Sequence, residues 1–110
     1  MQFVLAKLLL KNTYKGVILG MFIAETTMTA PVDFGSRFVG NLTQNIVALK
    51  SSPYISTIDK NINAKSILGL LSADIRKGDT IRIQTISNTS HEQAESDLKI
   101  IAELINNEIK

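Results

Sequence analysis

The 110-residue chain has no cysteine, no tryptophan, one histidine and two prolines, and each scarcity closes off chemistry. Without thiols there are no disulfides, thiolate metal sites, iron–sulfur clusters or cysteine nucleophile. The lone imidazole, His91, excludes any site that needs two. Aromatic residues make up 5%, so the core is aliphatic, which argues against a base- or sugar-stacking platform. Long apolar runs are also lacking. The longest uncharged apolar stretch, Gly16 to Ala24, has nine residues, about half of the ~20 that a membrane-spanning helix needs.

What is present suits one globular domain: 45% hydrophobic and 20% charged residues are enough for a single core and too apolar for intrinsic disorder. Net charge is +2, yet residues 1–20 carry Lys7, Lys11 and Lys15 and no acid. The remainder has nine basic and ten acidic groups, scattered in both signs, which is not the clustered basic surface of a nucleic-acid binder.

Residues 1–20, MQFVLAKLLLKNTYKGVILG, divide off as an N-terminal extension, with residues 21–110 as the domain. Lysines every four residues among apolar ones fit an amphipathic helix or a loosely attached extension. A signal peptide is disfavoured because Phe22 occupies the −3 position for cleavage after Ala24. An extra element packed on the domain, or a true start at Met21, stay open.

Along the body, FIAETTMT (22–29) alternates at period two and reads as a strand, ended by Ala30-Pro31. Ser36 is the expected N-cap of a helix through Lys50, with Val39, Leu42, Ile46 and Leu49 on its inner stripe. After the Ser51-Ser52-Pro53 breaker come two short strands, Tyr54 to Thr57 and Ile58 to Asn63, around a turn at Asp59-Lys60. Ser66 caps a brief helix, Ile67 to Leu71, and Lys77-Gly78-Asp79 turns the chain into a strand, Thr80 to Ile86, with Ile81 and Ile83 inward. Ser90 and Gln93 make a capping box for a long final helix carrying Ala94, Leu98, Ile101 and Ile105. The order β-α-β-β-α-β-α implies an α+β open-faced sandwich: a four-stranded antiparallel sheet with three helices on one face.

Three words in this order carry a resemblance: MFIAETTMTAP, the helix opening at Gly35-Ser36-Arg37, and INAKSILGLLS (62–72). They resemble HPr, the histidine phosphocarrier of the sugar phosphotransferase system, without gaps from Met21 to about Thr85 and on through the final helix. The most specific word is Asn63-Ala64-Lys65-Ser66-Ile67, followed by Gly69-Leu70-Leu71. In that family a histidine in a Gly-x-His-x-Arg-Pro word, at the start of the first helix, takes phosphate from enzyme I and passes it to permease components. A helix N-terminus suits that work because its free N–H groups and dipole favour a phosphoryl group, and an arginine adds a forked donor. Here the word reads Asp33-Phe34-Gly35-Ser36-Arg37-Phe38, so the resemblance puts Gly35 in the histidine's place and Phe38 in the proline's, and keeps Arg37.

The resemblance therefore implies an HPr-like protein that is not a phosphocarrier and not an enzyme: a binding and regulatory module with a vestigial phosphate site at Gly35, Ser36 and Arg37. It assigns no role to His91, read as an exposed residue at a helix start. Ser36 as an atypical acceptor lacks a base, and its bland reading is a plain N-cap; Asp33 would set one negative charge beside another. Ser66 is the position phosphorylated by HPr kinase in many relatives, where phosphate would sit against free N–H groups of the second helix. Arg37, Lys65, Ile67, Leu68 and Leu71 form the implied docking face for enzyme I, the kinase or a catabolite-control regulator, although Val47 and Gly69 stand where lysine is common. The implied setting is the cytoplasm, with no metal, cofactor, nucleic acid or membrane span. Two alternatives stay open: a phosphocarrier with an atypical acceptor, and a scaffold kept for an unrelated contact in which the leader takes part.

Overall fold

Alternation decides the sheet. In the computed structural model, which describes residues 14–18 and 20–107, Ile81, Ile83, Thr85 and Ser87 of β5 (Thr80–Ser87) are buried while Thr80 and Arg82 are exposed. β5 lies at the centre of the sheet. It pairs antiparallel with β2 (Met21–Thr29) on one side, Ile83 opposite Thr26, and with β3 (Ser52–Ser56) on the other, Ile83 opposite Ile55. β4 (Asn61–Asn63) completes one edge beside β3, and β1 (Tyr14–Ile18) the other beside β2, giving the order β1-β2-β5-β3-β4.

Three helices, α1 (Ser36–Ile46), α2 (Ile67–Ser72) and α3 (His91–Asn107), cover one face. The core between them is aliphatic, as the scarcity of aromatics requires: Val39, Leu42, Ile46, Ile55, Leu70, Ile81, Ile83, Leu98, Ile101 and Ile105 are all 2% exposed or less. The α+β open-faced architecture is therefore as expected, with one change. The sheet has five strands, because Tyr14–Ile18 pairs with Met21–Glu25. Within the described residues the extension is neither a helix nor loose; its remainder, 1–13 and 19, lies outside them. Gly20, at φ +79, supplies the left-handed residue of the β1–β2 turn.

Other boundaries also differ, and β3 starts at Ser52, inside the expected breaker. α1 stops at Ile46, where Val47 is the C-cap, because the chain must turn toward β3; the Ser51 N–H is held by the buried Asp97 carboxylate of α3 at 2.9 Å. The strand expected from Ile58 begins only at Asn61. Ile58 lies fully exposed beside the Asp59-Lys60 turn, which Thr57 closes by donating its N–H to the Lys60 carbonyl. Pro53 sits inside β3 without cost. Its carbonyl accepts from Ala64 N–H, so its missing N–H belonged to that same side and not to the ladder with β5.

Candidate functional site

The loop from β2 to α1 is fixed from below. Phe34 N–H donates to the Ile75 carbonyl, Asp33 Oδ1 accepts Lys77 N–H at 2.7 Å, and Ala30 exchanges bonds with the Gly78–Asp79 turn. Phe34 and Phe38 are buried with ring centroids 4.6 Å apart, clamping the helix start from both sides of the first turn. The clamp places the N-cap at Gly35, not at Ser36 as propensity suggests. Gly35 is extended (φ −81, ψ 178), and no side chain caps the helix. Ser36 is thus the first helical residue, exposed beside exposed Arg37, which has no hydrogen-bond or ion-pair partner among the described residues.

Three acids and two bases crowd the underside of this loop. Arg76 bridges Asp74 at 2.9 Å and donates its backbone N–H to Asp79. Hydrogen bonding and charge from Asp74, then the charge of Asp33, hold its guanidinium above its ordinary pKa. Asp33 thus accepts the Lys77 N–H and lies within the field of the Arg76 guanidinium, so its carboxylate is already engaged.

The word Asn63-Ala64-Lys65-Ser66 has a physical reason at each position. Asn63 ends β4 and turns the chain: its side-chain oxygen accepts Lys65 N–H at 2.9 Å, and its carbonyl accepts Ser66 N–H. Ala64 is fully buried and ties back to Pro53. Lys65 reaches across to donate its ammonium to the Leu49 carbonyl at 2.9 Å, closing the chain just beyond α1. Ser66 caps α2 as expected, its Oγ accepting Gly69 N–H at 3.0 Å. Gly69 is packed closely here, since a Cβ would lie 3.0 Å from Ile62 and 3.1 Å from Ser66 Oγ.

Ile67 and Leu68 of α2 are 48% and 77% exposed. Leu71, expected beside them, instead packs against the core. Across from Ile67, α1 presents Gly40, Gln44 and Val47 at helical spacing, and a groove of about 370 Å³ runs between the helices, lined also by Thr43 and Lys65. Arg37 is on the same stripe of α1, one turn before Gly40. The groove was not legible in the sequence; the exposed Val47, unusual for a helix end, was its one signal.

His91 is elsewhere. It follows β5, whose end at Ser87 is paired with Phe22, whereas the α1 loop leaves from the Thr29 end of β2. The seven residue steps between these ends separate the two sites by about 23 Å of strand. His91 is half-buried rather than exposed, edge-on to Phe22 at 4.8 Å, with Nδ1 buried and unpartnered. Its helix begins with half of the expected capping box. Ser90 Oγ accepts Gln93 N–H, but the Gln93 side chain bonds Asp97 instead of returning to Ser90.

With this geometry established, a family model described as "PTS HPr component phosphorylation site" matches residues 24–107. The chain belongs to the HPr family. The match begins inside β2 and leaves β1 outside. Solved HPr structures share the fold: HPr-C-His from Thermoanaerobacter tengcongensis has a TM-score of 0.66 at 21% identity, over 77% of this chain and 93% of that one. Phosphocarrier protein HPr from Bacillus anthracis gives 0.66 at 24% identity, over 76% and 96%. A search of curated proteins gave no match. Among the described residues of this HPr-family chain, no acidic or histidine cluster could hold a metal ion, and no helix is long and apolar enough to cross a membrane.

Proposed function

We propose that this member of the HPr family acts as a binding and regulatory module of the phosphotransferase system rather than as its phosphate carrier. One observation carries the reading: the N-cap of α1 is Gly35, which has no side chain, and the only imidazole lies at the opposite end of the sheet. A carrier needs a nucleophile that forms a reactive phosphoryl bond; Ser36 has no neighbouring base, and Asp33 is already engaged by the Lys77 N–H. The residues left at the helix start, Gly35, Ser36 and Arg37, form a vestigial phosphate site. Docking runs through Arg37, Val47, Ile67 and Leu68, with Lys65 anchoring the fold beneath that surface and Ser66 as its regulatory phosphorylation point. A phosphate on Ser66 would extend from a half-buried cap toward the first turn of α2, complementing its dipole without melting it. The partners are enzyme I, HPr kinase or a catabolite-control regulator, in the cytoplasm.

Intact-mass measurement after separate incubations with enzyme I plus phosphoenolpyruvate, and with HPr kinase plus ATP, tests this. The expected result is one acid-stable phosphate from the kinase only, absent in Ser66→Ala. A phosphate acquired from enzyme I would overturn the reading.

A further inference from the structure

Two clefts adjoin at the end of the sheet where Thr29 pairs with Thr80. The first, of about 380 Å³, is lined by Thr27, Arg82 and Ser56, one row across β2, β5 and β3. This row faces away from the helices, since Ile81 and Ile83 on either side of Arg82 point into the core. The second, of about 320 Å³, is lined by residues outside the strands, among them Asp59 of the β3–β4 turn and Asp79 of the turn before β5. Thr57, Ile58 and Thr80 line both, and volumes of this order suit small ligands. The two clefts are opposite in charge. Arg82 is the one charged residue lining the first, exposed and without a hydrogen-bond or ion-pair partner among the described residues. Asp59 and Asp79 are the charged residues lining the second. Each accepts a hydrogen bond from a neutral donor, Thr57 Oγ1 at 3.2 Å and the Arg76 backbone N–H at 2.9 Å, and neither forms an ion pair among the described residues. The neighbouring cations are turned elsewhere, the Arg76 guanidinium to Asp74 and the Lys60 ammonium to the Ser72 carbonyl. Between the two poles stands Ile58, fully exposed.

We propose that the paired clefts bind one small dipolar molecule, an ω-amino acid, with its carboxylate on Arg82, its aliphatic stem along Ile58 and its ammonium on Asp59 and Asp79. A guanidinium takes a carboxylate through two parallel N–H bonds, and the hydroxyls of Thr27 and Thr80 add donors beside it. Two carboxylates with no cation of their own attract an ammonium at the other end. Arg82 and Asp79 are three residues apart, about 10 Å at the rise of a strand, so the two charges of the ligand stand several methylene groups apart. Those methylenes are what the exposed Ile58 covers. A simple anion would leave the aspartates unanswered, and a simple amine would leave Arg82 so. The α1–α2 groove shares no lining residue with these clefts, and the inference therefore stands apart from the functional reading.

Titration of the full chain with ε-aminocaproate at constant pH and ionic strength, followed through backbone amide shifts, tests the proposal. Expected are saturating shifts at Ser56, Thr57, Ile58 and Asp59 and from Asp79 to Arg82, with a dissociation constant on the order of 1 mM for so small a ligand. Caproate, hexylamine and glycine, each lacking one charge or the stem, bind at least tenfold more weakly. Arg82→Gln and the double variant Asp59→Asn, Asp79→Asn each weaken ε-aminocaproate binding at least tenfold, and Ile58→Ser at least threefold. All four side chains are exposed and asparagine keeps an acceptor oxygen, so these variants fold, which unchanged Ile83 and Leu98 methyl shifts verify. Caproate binding as tightly as ε-aminocaproate would reduce the site to an anion subsite and overturn the proposal. Shifts that do not saturate, shifts confined to the α1–α2 groove, or unchanged affinity in a folded Arg82→Gln protein would also overturn it.

Discussion

Gly35→His tests the proposed reason why this chain would not carry phosphate, that the α1 N-cap has no side chain to accept it. The position accepts a side chain: its φ of −81 suits any L-residue, and a Cβ meets no heavy atom within 4 Å. Two small terms oppose each other. Replacing glycine in a compatible conformation restricts the unfolded chain and stabilises by about 0.4–1 kcal/mol. Losing a favoured N-cap residue costs a similar amount, up to about 1 kcal/mol. Stability therefore stays within about 1 kcal/mol, or roughly 5 °C in Tm for a domain of this size. The α1 dipole disfavours an imidazolium at that end, so the ring stays neutral with a nitrogen lone pair available, and Arg37 remains beside it. The expected result is an acid-labile phosphate from enzyme I and phosphoenolpyruvate, absent from the parent chain. A folded Gly35→His protein that acquires none would refute the reasoning and move the cause to the docking surface, where Val47 lies exposed.

Ser66→Ala removes the only side-chain cap of a six-residue helix and costs about 1 kcal/mol, seen as roughly fivefold faster exchange at the Gly69 amide, while Ser66→Asp keeps the cap and its protection. Asp97→Ala leaves the buried Ser51 N–H without its acceptor and destabilises by about 3 kcal/mol in urea unfolding, with Asp97→Asn costing less than half of that. Lys65→Met loses the bond to Leu49 and lowers stability by about 1 kcal/mol, whereas Arg37→Ala, exposed and unpartnered among the described residues, stays within about 0.5 kcal/mol and weakens only partner binding in calorimetric titration.

Most of the sheet and the final helix were legible because their patterns are strong and local: alternation through Ile81 and Ile83, and a helical stripe from Ala94 to Ile105. β1 was not. YKGVI, next to a lysine-studded apolar run, has no alternation of its own and becomes a strand only by pairing with β2. Its one local cue was Gly20, where the turn needs a positive φ. At the helix starts, residue preference placed the cap of α2 correctly at Ser66 but put that of α1 one residue late, because the packing of Phe34 on Phe38 outweighs the preference for serine over glycine. Likewise Lys65 reads as a surface charge in sequence, and only the fold brings the Leu49 carbonyl within its reach. The α1–α2 groove depends on two segments some twenty residues apart meeting side by side, which no single periodicity encodes.

The sheet order β1-β2-β5-β3-β4 constrains how a ribosome can deliver this molecule. Before Thr80 is synthesised, the only strand pairs available are two separate hairpins, β1 with β2 and β3 with β4. β5 joins them, and α3, which seals the core over it, follows last. A chain released at residue 79 would thus display the apolar stripe of α1 and both hairpins with nothing to close them. Emergence of residues 80–107, which hold β5 and α3, is the step that turns two tethered hairpins into one domain.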